Sequence, residues 1–229
     1  LAYMYLVMNW GDIPIIYDNL KQVSDTTMAR NTQKSVWEFI IRDLRYAVKN
    51  LPETPIAQGR LSKWSAKAML ARMYLYHSGF GSTDGTRNQA ELDSAKLYAG
   101  DVCENSGLSL LDSYYDLFKV ENENSGESLF ALQWETVGTE WGTQNTFQAY
   151  MAYDSKIAGV GDGWGGGHGA SSDIMHYYED NPTDLRRRAT FFFNGDHYDD
   201  LMTKSGGLDY TIDFIANVRK YIVGSADEG

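Results

Sequence analysis

Residues 59–79 read GRLSKWSAKAMLARMYLYHSG, and this stretch decides the predicted fold. Apolar side chains recur in it every three or four residues, as they do along one face of an α-helix. Because a helix that is apolar over much of its circumference must be covered on both sides, we expect an inner helix of an all-helical stack. The two apolar stripes consist of Leu61, Trp64, Ala68, Ala71 and Leu75, and of Ala66, Met69, Met73 and Tyr76.

Two further amphipathic helices flank this one in the sequence. Residues 32–51 repeat apolar side chains at helical spacing, and residues 89–105 do the same with Leu92, Ala95, Ala99 and Val102. Three successive helices of about 15 to 20 residues are typical of repeats of the tetratricopeptide kind. We therefore predict a helical scaffold of paired helices over residues 1–120.

Residues 1–10, LAYMYLVMNW, are apolar at nine of ten positions. The segment is too short to span a membrane and has neither a basic flank nor a small-residue cleavage site. We interpret it as the last turns of a buried helix and expect the chain to be part of a longer one.

The second half of the chain has a different sequence pattern. Residues 136–169 show no sustained period and are rich in glycine and aromatic residues. Short strands are predicted at residues 129–134, 191–193 and 218–222, and a short helix at 171–179. The predicted fold is mostly α, with tetratricopeptide-like helix pairs packed with an irregular, loop-rich region that contains a few short strands.

Composition excludes several classes of function. The formal net charge of −11 leaves no basic surface to neutralise phosphates, so nucleic acid is not an expected partner. Cys103 is the one cysteine, which excludes an intramolecular disulfide and a Cys-rich metal site. At a helical position it is expected to be a small buried hydrophobe.

The sequence matches known catalytic and cofactor-binding motifs only weakly. Gly161, Gly163 and Gly166 match a dinucleotide-binding pattern, but a polar stretch precedes them where a strand is needed, so we interpret them as a flexible loop. His168, His176 and His197 lack metal-ligand spacing, and neither a metal nor a cofactor is expected. No serine lies in a G-x-S-x-G motif. Paired carboxylates of a glycoside hydrolase cannot be read from a linear sequence, so that alternative stays open.

Aromatic residues in the glycine-rich region are the best candidates for ligand binding. Aromatic faces on loops bind sugar rings through apolar contact, while amides and carboxylates bind the hydroxyls. The alternative is that these rings plug the loops onto the helices. The predicted ligand-binding residues are Trp141, Gln144, Tyr150, Tyr153, Asp162 and Trp164.

Several segments resemble, in order and spacing, the SusD/RagB family of outer-membrane nutrient-binding lipoproteins. The resemblance covers residues 1–135 well and continues through two later segments. The segments are WGDIPII (10–16), SVWEFIIRDLRYAVKNLP (35–52), the organising stretch 59–79, GLSLL (107–111), ESLFALQW (127–134), NPTDLRRRATFF (181–192) and VRKYI (218–222).

The resemblance implies a single SusD/RagB-like domain over residues 1–229, with the ligand-binding part in residues 121–229. It implies a protein held on the external face of the outer membrane by a lipid anchor outside this sequence. It also implies a SusC-like TonB-dependent transporter as partner, and capture of oligosaccharides or other nutrients without cleavage. The family offers no fixed binding motif to transfer, and Asp184 and Arg186 are expected to form a structural ion pair or turn.

The sequence thus favours a cell-surface glycan-binding protein that is not an enzyme. Two alternatives remain open: a tetratricopeptide-type scaffold that binds a peptide or protein, and a glycoside hydrolase. A peptide rather than a sugar also remains possible as the nutrient.

Overall fold

The computed structural model describes residues 1–22, 24–134, 145–158 and 163–224. These residues are mostly helical, which confirms the predicted fold class. Contacts divide the chain into two compact units, Leu1–Ser109 with Ser128–Ala131, and Leu110–Glu127 with Leu132–Gly229. The division predicted after residue 120 therefore falls inside the second unit. Long-range bonds explain why, since Arg219 donates a 2.8 Å hydrogen bond to the hydroxyl of Tyr115.

The first unit is built from helices. The longest three lie within the stretches predicted to be helical, 32–51, 59–79 and 89–105. The helices are α1 (Ala2–Trp10), α2 (Asn19–Gln22), α3 (Gln33–Asn50), α4 (Lys63–His77) and α5 (Gln89–Asn105).

Helix α4 is the inner helix, packed between α3 and α5. Leu70 and Met73 are fully buried, each in a different apolar cluster. Ser62 caps the helix by accepting a 3.3 Å hydrogen bond from the backbone N–H of Ser65. The stripe through Met69 and Met73 faces the core, whereas the ends of the other stripe, at residues 61 and 75, are exposed.

The neighbouring helices depart from the predicted burial at three places. Helix α1 is buried on one face only, through Met4 and Val7. On α5, Ala95 and Val102 are buried, but Ala99 is exposed. The expectation that Cys103 is buried is wrong, because its side chain is exposed. One residue turns an α-helix by about 100°, so Cys103 lies off the buried face that contains Val102.

The second unit contains short elements around an aromatic core. Its helices are α6 (Phe147–Met151), α7 (Ser155–Ala158), α8 (Ser172–Asp180) and α9 (Arg186–Thr190). Strands β1 (His197–Tyr198) and β2 (Leu208–Asp209) pair antiparallel, with Tyr198 opposite Leu208. Single helical turns of the 3-10 type lie at Asp116–Phe118, Val120–Asn122, Gly165–Gly167 and Thr203–Ser205. The core side chains are Ala152, Ile157, Phe192, Tyr198, Leu201, Leu208, Tyr210 and Ile222.

The predicted strands are mostly absent. Residues 129–134 have no strand partner and form no strand, so that prediction is wrong. Residues 191–193 and 218–222 meet in a single antiparallel bridge between Phe191 and Val218. The predicted helix at 171–179 is confirmed as α8. Within the described ranges, no helix is both long enough and apolar enough to cross a membrane.

Candidate functional site

Tyr150 and Trp164 form an exposed pair of aromatic rings on the second unit. Their centroids are 5.1 Å apart and their planes meet at 74°, so the edge of one ring meets the face of the other. Tyr150 is 51% exposed and Trp164 is 50% exposed. Two large rings that keep half of their surface in water offer an apolar contact area to a ligand.

The backbone of residues 163–165 is packed tightly against α6 and α7. Trp164 donates a 2.9 Å hydrogen bond to the carbonyl of Ala149, and Gly165 donates one of 2.8 Å to Ala152. A Cβ atom at Gly165 would lie 2.2 Å from the carbonyl oxygen of Met151, and one at Gly163 only 2.5 Å from the backbone of residues 154–155. The glycines on either side of Trp164 therefore permit close backbone contact, and the expected flexible loop is a packed segment here.

The side chain of Asn217 forms hydrogen bonds with the same segment. It is fully buried, and its side-chain amide donates to the carbonyls of Gly165, Gly166 and His168 at 3.3, 3.1 and 2.9 Å. Its Oδ1 lies 2.7 Å from the hydroxyl of Tyr210, which belongs to the core. One buried side chain thus joins the Trp164 segment to the core.

A second hydrogen bond joins that segment to α6. The ring nitrogen Nδ1 of His168 donates to the backbone carbonyl of Tyr150 at 3.0 Å. Both members of the ring pair therefore sit on backbone that several hydrogen bonds fix, so the pair is ordered before a ligand arrives. Sequence reasoning missed Asn217, although an asparagine within the apolar run FIANV is the signal of a buried polar group with a defined partner.

Tyr153 has a different environment from Tyr150. Its ring meets Phe192 edge to face at 5.5 Å and Tyr210 at 5.2 Å, both members of the core. Burial raises the pKa of the Tyr153 hydroxyl to about 12. The Tyr153 ring therefore packs against the core, as in the alternative interpretation that the aromatic rings fasten the loops to the rest of the fold.

The remaining predicted ligand-binding residues, Trp141, Gln144 and Asp162, lie outside the residues that the structure describes. Of the predicted set, the described part of the chain brings together Tyr150 and Trp164. The carboxylates and amides expected to bind sugar hydroxyls thus remain a prediction.

A groove of about 750 Å³ lies elsewhere on the second unit. Several of its charged side chains bind residues outside the lining. Arg187 pairs with Asp196 at 2.5 Å, and the carboxylate of Asp200 pairs with the buried guanidinium of Arg219 beside the hydroxyl of Tyr115. These bonds tie distant parts of the unit together. Lining residues include Asp112, Tyr114, Tyr115, Leu185, Arg188 and Asp200.

Asp184 and Arg186 form the expected structural ion pair. The carboxylate of Asp184 accepts from the guanidinium of Arg186 at 2.5 Å and from its backbone N–H at 2.9 Å. These bonds hold the pKa of the Asp184 carboxyl well below its usual range. The pair closes the turn that leads into α9, which confirms the prediction.

Comparison with known proteins relates the chain to one family. Residues 1–75 match a SusD-like family model described as "starch-binding associating with outer membrane". A SusD-like protein of Bacteroides ovatus is 41% identical over 227 residues, which is 99% of this chain and 40% of that protein. The SusD-like protein P25 of Formosa agariphila is 27% identical over 136 residues, or 58% of this chain and 23% of that protein. The chain thus spans 40% of the length of the first of these relatives.

Solved structures agree with this relationship. A crystal structure determined with a xylogluco-oligosaccharide matches 99% of this chain and 45% of its own, with a TM-score of 0.86 and 41% identity. A SusD-like protein of Bacteroides fragilis shares the fold, with a TM-score of 0.71 over 96% of this chain and 48% of its own at 18% identity.

Proposed function

Because the chain belongs to the SusD-like family, we propose that it captures oligosaccharides on a surface that includes Tyr150 and Trp164, and that it does not cleave them. The observation that carries this proposal is the exposed ring pair on a fixed backbone. Aromatic faces contact the C–H groups of sugar rings, and a surface that is already ordered loses little entropy on binding.

The first ligand to test is a xyloglucan oligosaccharide. The solved structure that is 41% identical to this chain was determined with a xylogluco-oligosaccharide. In our proposal, Trp141, Gln144 and Asp162 complete the site with another ring and with polar groups for the hydroxyls. Each stack or hydrogen bond contributes about 1–2 kcal/mol, so we expect affinities in the micromolar to millimolar range.

Weak capture suits a protein that passes its ligand on. We propose that the whole protein lies on the external face of the outer membrane, held by a lipid anchor, and delivers the oligosaccharide to a SusC-like TonB-dependent transporter. The matching family model, which is described as associating with the outer membrane, supports this location.

Calorimetric titration of the protein with xyloglucan oligosaccharides tests the proposal. The Trp164→Ala variant should bind about tenfold more weakly or worse, because one stacking face is lost. Its melting temperature should stay close to that of the wild type, since the ring is half exposed. Phe214→Ala, at a ring that is 83% exposed, is the control and should bind normally.

The same samples separate the alternatives. New reducing ends after incubation would identify a glycoside hydrolase and contradict the proposal. Absence of binding across a panel of polysaccharides would also contradict it and would favour a scaffold for peptides or proteins. Early unfolding of Trp164→Ala would show that the ring is structural.

A further inference from the structure

A second pair of exposed rings joins α6 to a later segment of the same unit, with Phe147 on the helix and Tyr221 on that segment. The rings of Phe147 and Tyr221 have centroids 5.3 Å apart and planes inclined by 35°. Phe147 is 49% exposed and Tyr221 is 40% exposed. Like Tyr150 and Trp164, these rings form a contact and still keep a large apolar area in water.

The helix places the two pairs side by side. Phe147 and Tyr150 are three residues apart on α6, and residues at this spacing are neighbours on one face of a helix, with Cβ atoms about 5–6 Å apart. Ala149, on the opposite side, is buried. The two ring pairs therefore meet α6 on the same face, at neighbouring positions.

The second pair is also held on a fixed backbone. Gln148 accepts a 2.9 Å hydrogen bond from the backbone N–H of Val223 and donates one of 2.9 Å to the carbonyl of Gly224. These two bonds attach the segment that follows Tyr221 to the helix that carries Phe147. The distance between the rings is thus set by secondary structure and hydrogen bonds.

Lys220 brings a positively charged donor to this end of the surface. Its ammonium nitrogen lies 4.8 Å from the ring centroid of Phe118 and 5.9 Å from that of Tyr221. The nitrogen also lies 5.9 Å from the ring centroid of Tyr114, and none of the ion pairs in the described part of the chain involves it, although the chain is acidic overall. Hydrogen bonds from a charged donor are roughly twice as strong as neutral ones.

We propose that Phe147, Tyr221 and Lys220 form a second subsite, which makes the protein prefer long oligosaccharides to short ones. The inference rests on the proposed function, because it extends the surface of Tyr150 and Trp164. Apolar rings with a few polar donors are the usual composition of a ligand site. A short ligand occupies the first pair alone, and a longer one continues along α6 and contacts the second pair.

The test compares cellobiose, which has two glucose residues, with a xyloglucan oligosaccharide of one repeating unit, which is long enough to reach both ring pairs, by calorimetric titration. Phe147→Ala and Tyr221→Ala should each weaken binding of the longer ligand about fivefold or more, with the shorter ligand affected by less than about twofold. Phe147→Leu, which keeps an apolar side chain without the ring, should have the same selective effect if Phe147→Ala unfolds. Lys220→Met should reduce affinity for the longer ligand in the same way, and Phe214→Ala is again the control.

Each outcome is decisive. Equal weakening of both ligands, or no weakening of either by these variants, overturns the second subsite while the proposed function stands. Failure of the wild-type protein to bind either ligand overturns the proposed function and this inference together.

Discussion

The side-chain amide of Asn217 donates a 2.9 Å hydrogen bond to the backbone carbonyl of His168, 49 residues earlier in the chain. The asparagine is fully buried, and the same amide also reaches the carbonyls of Gly165 and Gly166. Because a buried carbonyl that loses its donor keeps its desolvation cost, this side chain stabilises the backbone beneath Trp164.

Asn217→Ala should lower the free energy of unfolding by about 2–3 kcal/mol, since it removes a buried amide that binds the carbonyl of the buried Gly165 and the hydroxyl of Tyr210. Denaturant unfolding measures the loss. Asn194→Ala, at an exposed asparagine of the same unit, is the matched control and should change stability by no more than about 0.5 kcal/mol. Equal stability of the two variants would contradict the role given to Asn217.

Gly165 and Gly167 allow the same substitution to be compared at a tightly packed position and at an open one. A Cβ at Gly165 meets the backbone of Met151, whereas a Cβ at Gly167 meets nothing within 4 Å. Gly165→Ala should cost about 2–3 kcal/mol through overpacking and should weaken glycan binding, while Gly167→Ala should be nearly neutral. Thermal unfolding compares the two, and similar melting temperatures would show that the segment yields easily.

Tyr150 and Tyr153 are the same residue type three positions apart, with opposite expected roles. Tyr153→Ala removes a ring that packs on Phe192 and Tyr210, so it should cost about 2 kcal/mol of stability. Tyr150→Ala should leave stability almost unchanged and weaken oligosaccharide binding. Paired denaturation and titration experiments check both effects, and a reversal would show that Tyr153 rather than Tyr150 faces the ligand.

Stability should fall at alkaline pH partly because of buried tyrosines. Burial raises the pKa of Tyr115 and of Tyr153 to about 12, above the value of about 10 in an unfolded chain. The folded protein thus holds protons that the unfolded chain releases, so this stabilisation is complete below pH about 10 and is lost as pH rises through about 12. Tyr153→Phe keeps the ring without the hydroxyl, and its stability should fall less steeply across that range. Identical pH profiles in denaturant unfolding would contradict this.

Cys103 should react with a thiol reagent in the native protein. Its side chain is exposed on α5, and buried thiols are inert while exposed ones are accessible. Ellman's reagent should therefore modify about one thiol per chain without denaturant, and Cys103→Ser should abolish the signal with little change in stability. Reaction only after unfolding would show that the side chain is covered.

Local sequence patterns predicted the helices of the first unit well. Helices α3, α4 and α5 lie within the stretches predicted from apolar spacing, 32–51, 59–79 and 89–105, and Thr32 and Ser62 cap α3 and α4. Helical period and capping are local properties, so they can be read from about four to eighteen neighbouring residues. Side-chain burial was less predictable, because the exposure of Ala99 and Cys103 depends on which neighbour α5 meets.

The predicted strand at residues 129–134 shows the limit of that approach. The side chains of this segment alternate well enough for a strand. A strand exists only with a partner, however, and the described structure provides none. The two short strands that do form, β1 and β2, were not predicted, since a pair of two-residue strands has no period to detect.

The sequence by itself determined the helical frame and the region in which to look for a ligand, because period, caps and ring chemistry are carried by neighbouring residues. Only the tertiary structure decided that Tyr150 faces water while Tyr153 enters the core, and that Asn217 anchors the segment of Trp164. The physical reason is that burial and long-range hydrogen bonds depend on partners tens of residues away, which no local pattern specifies.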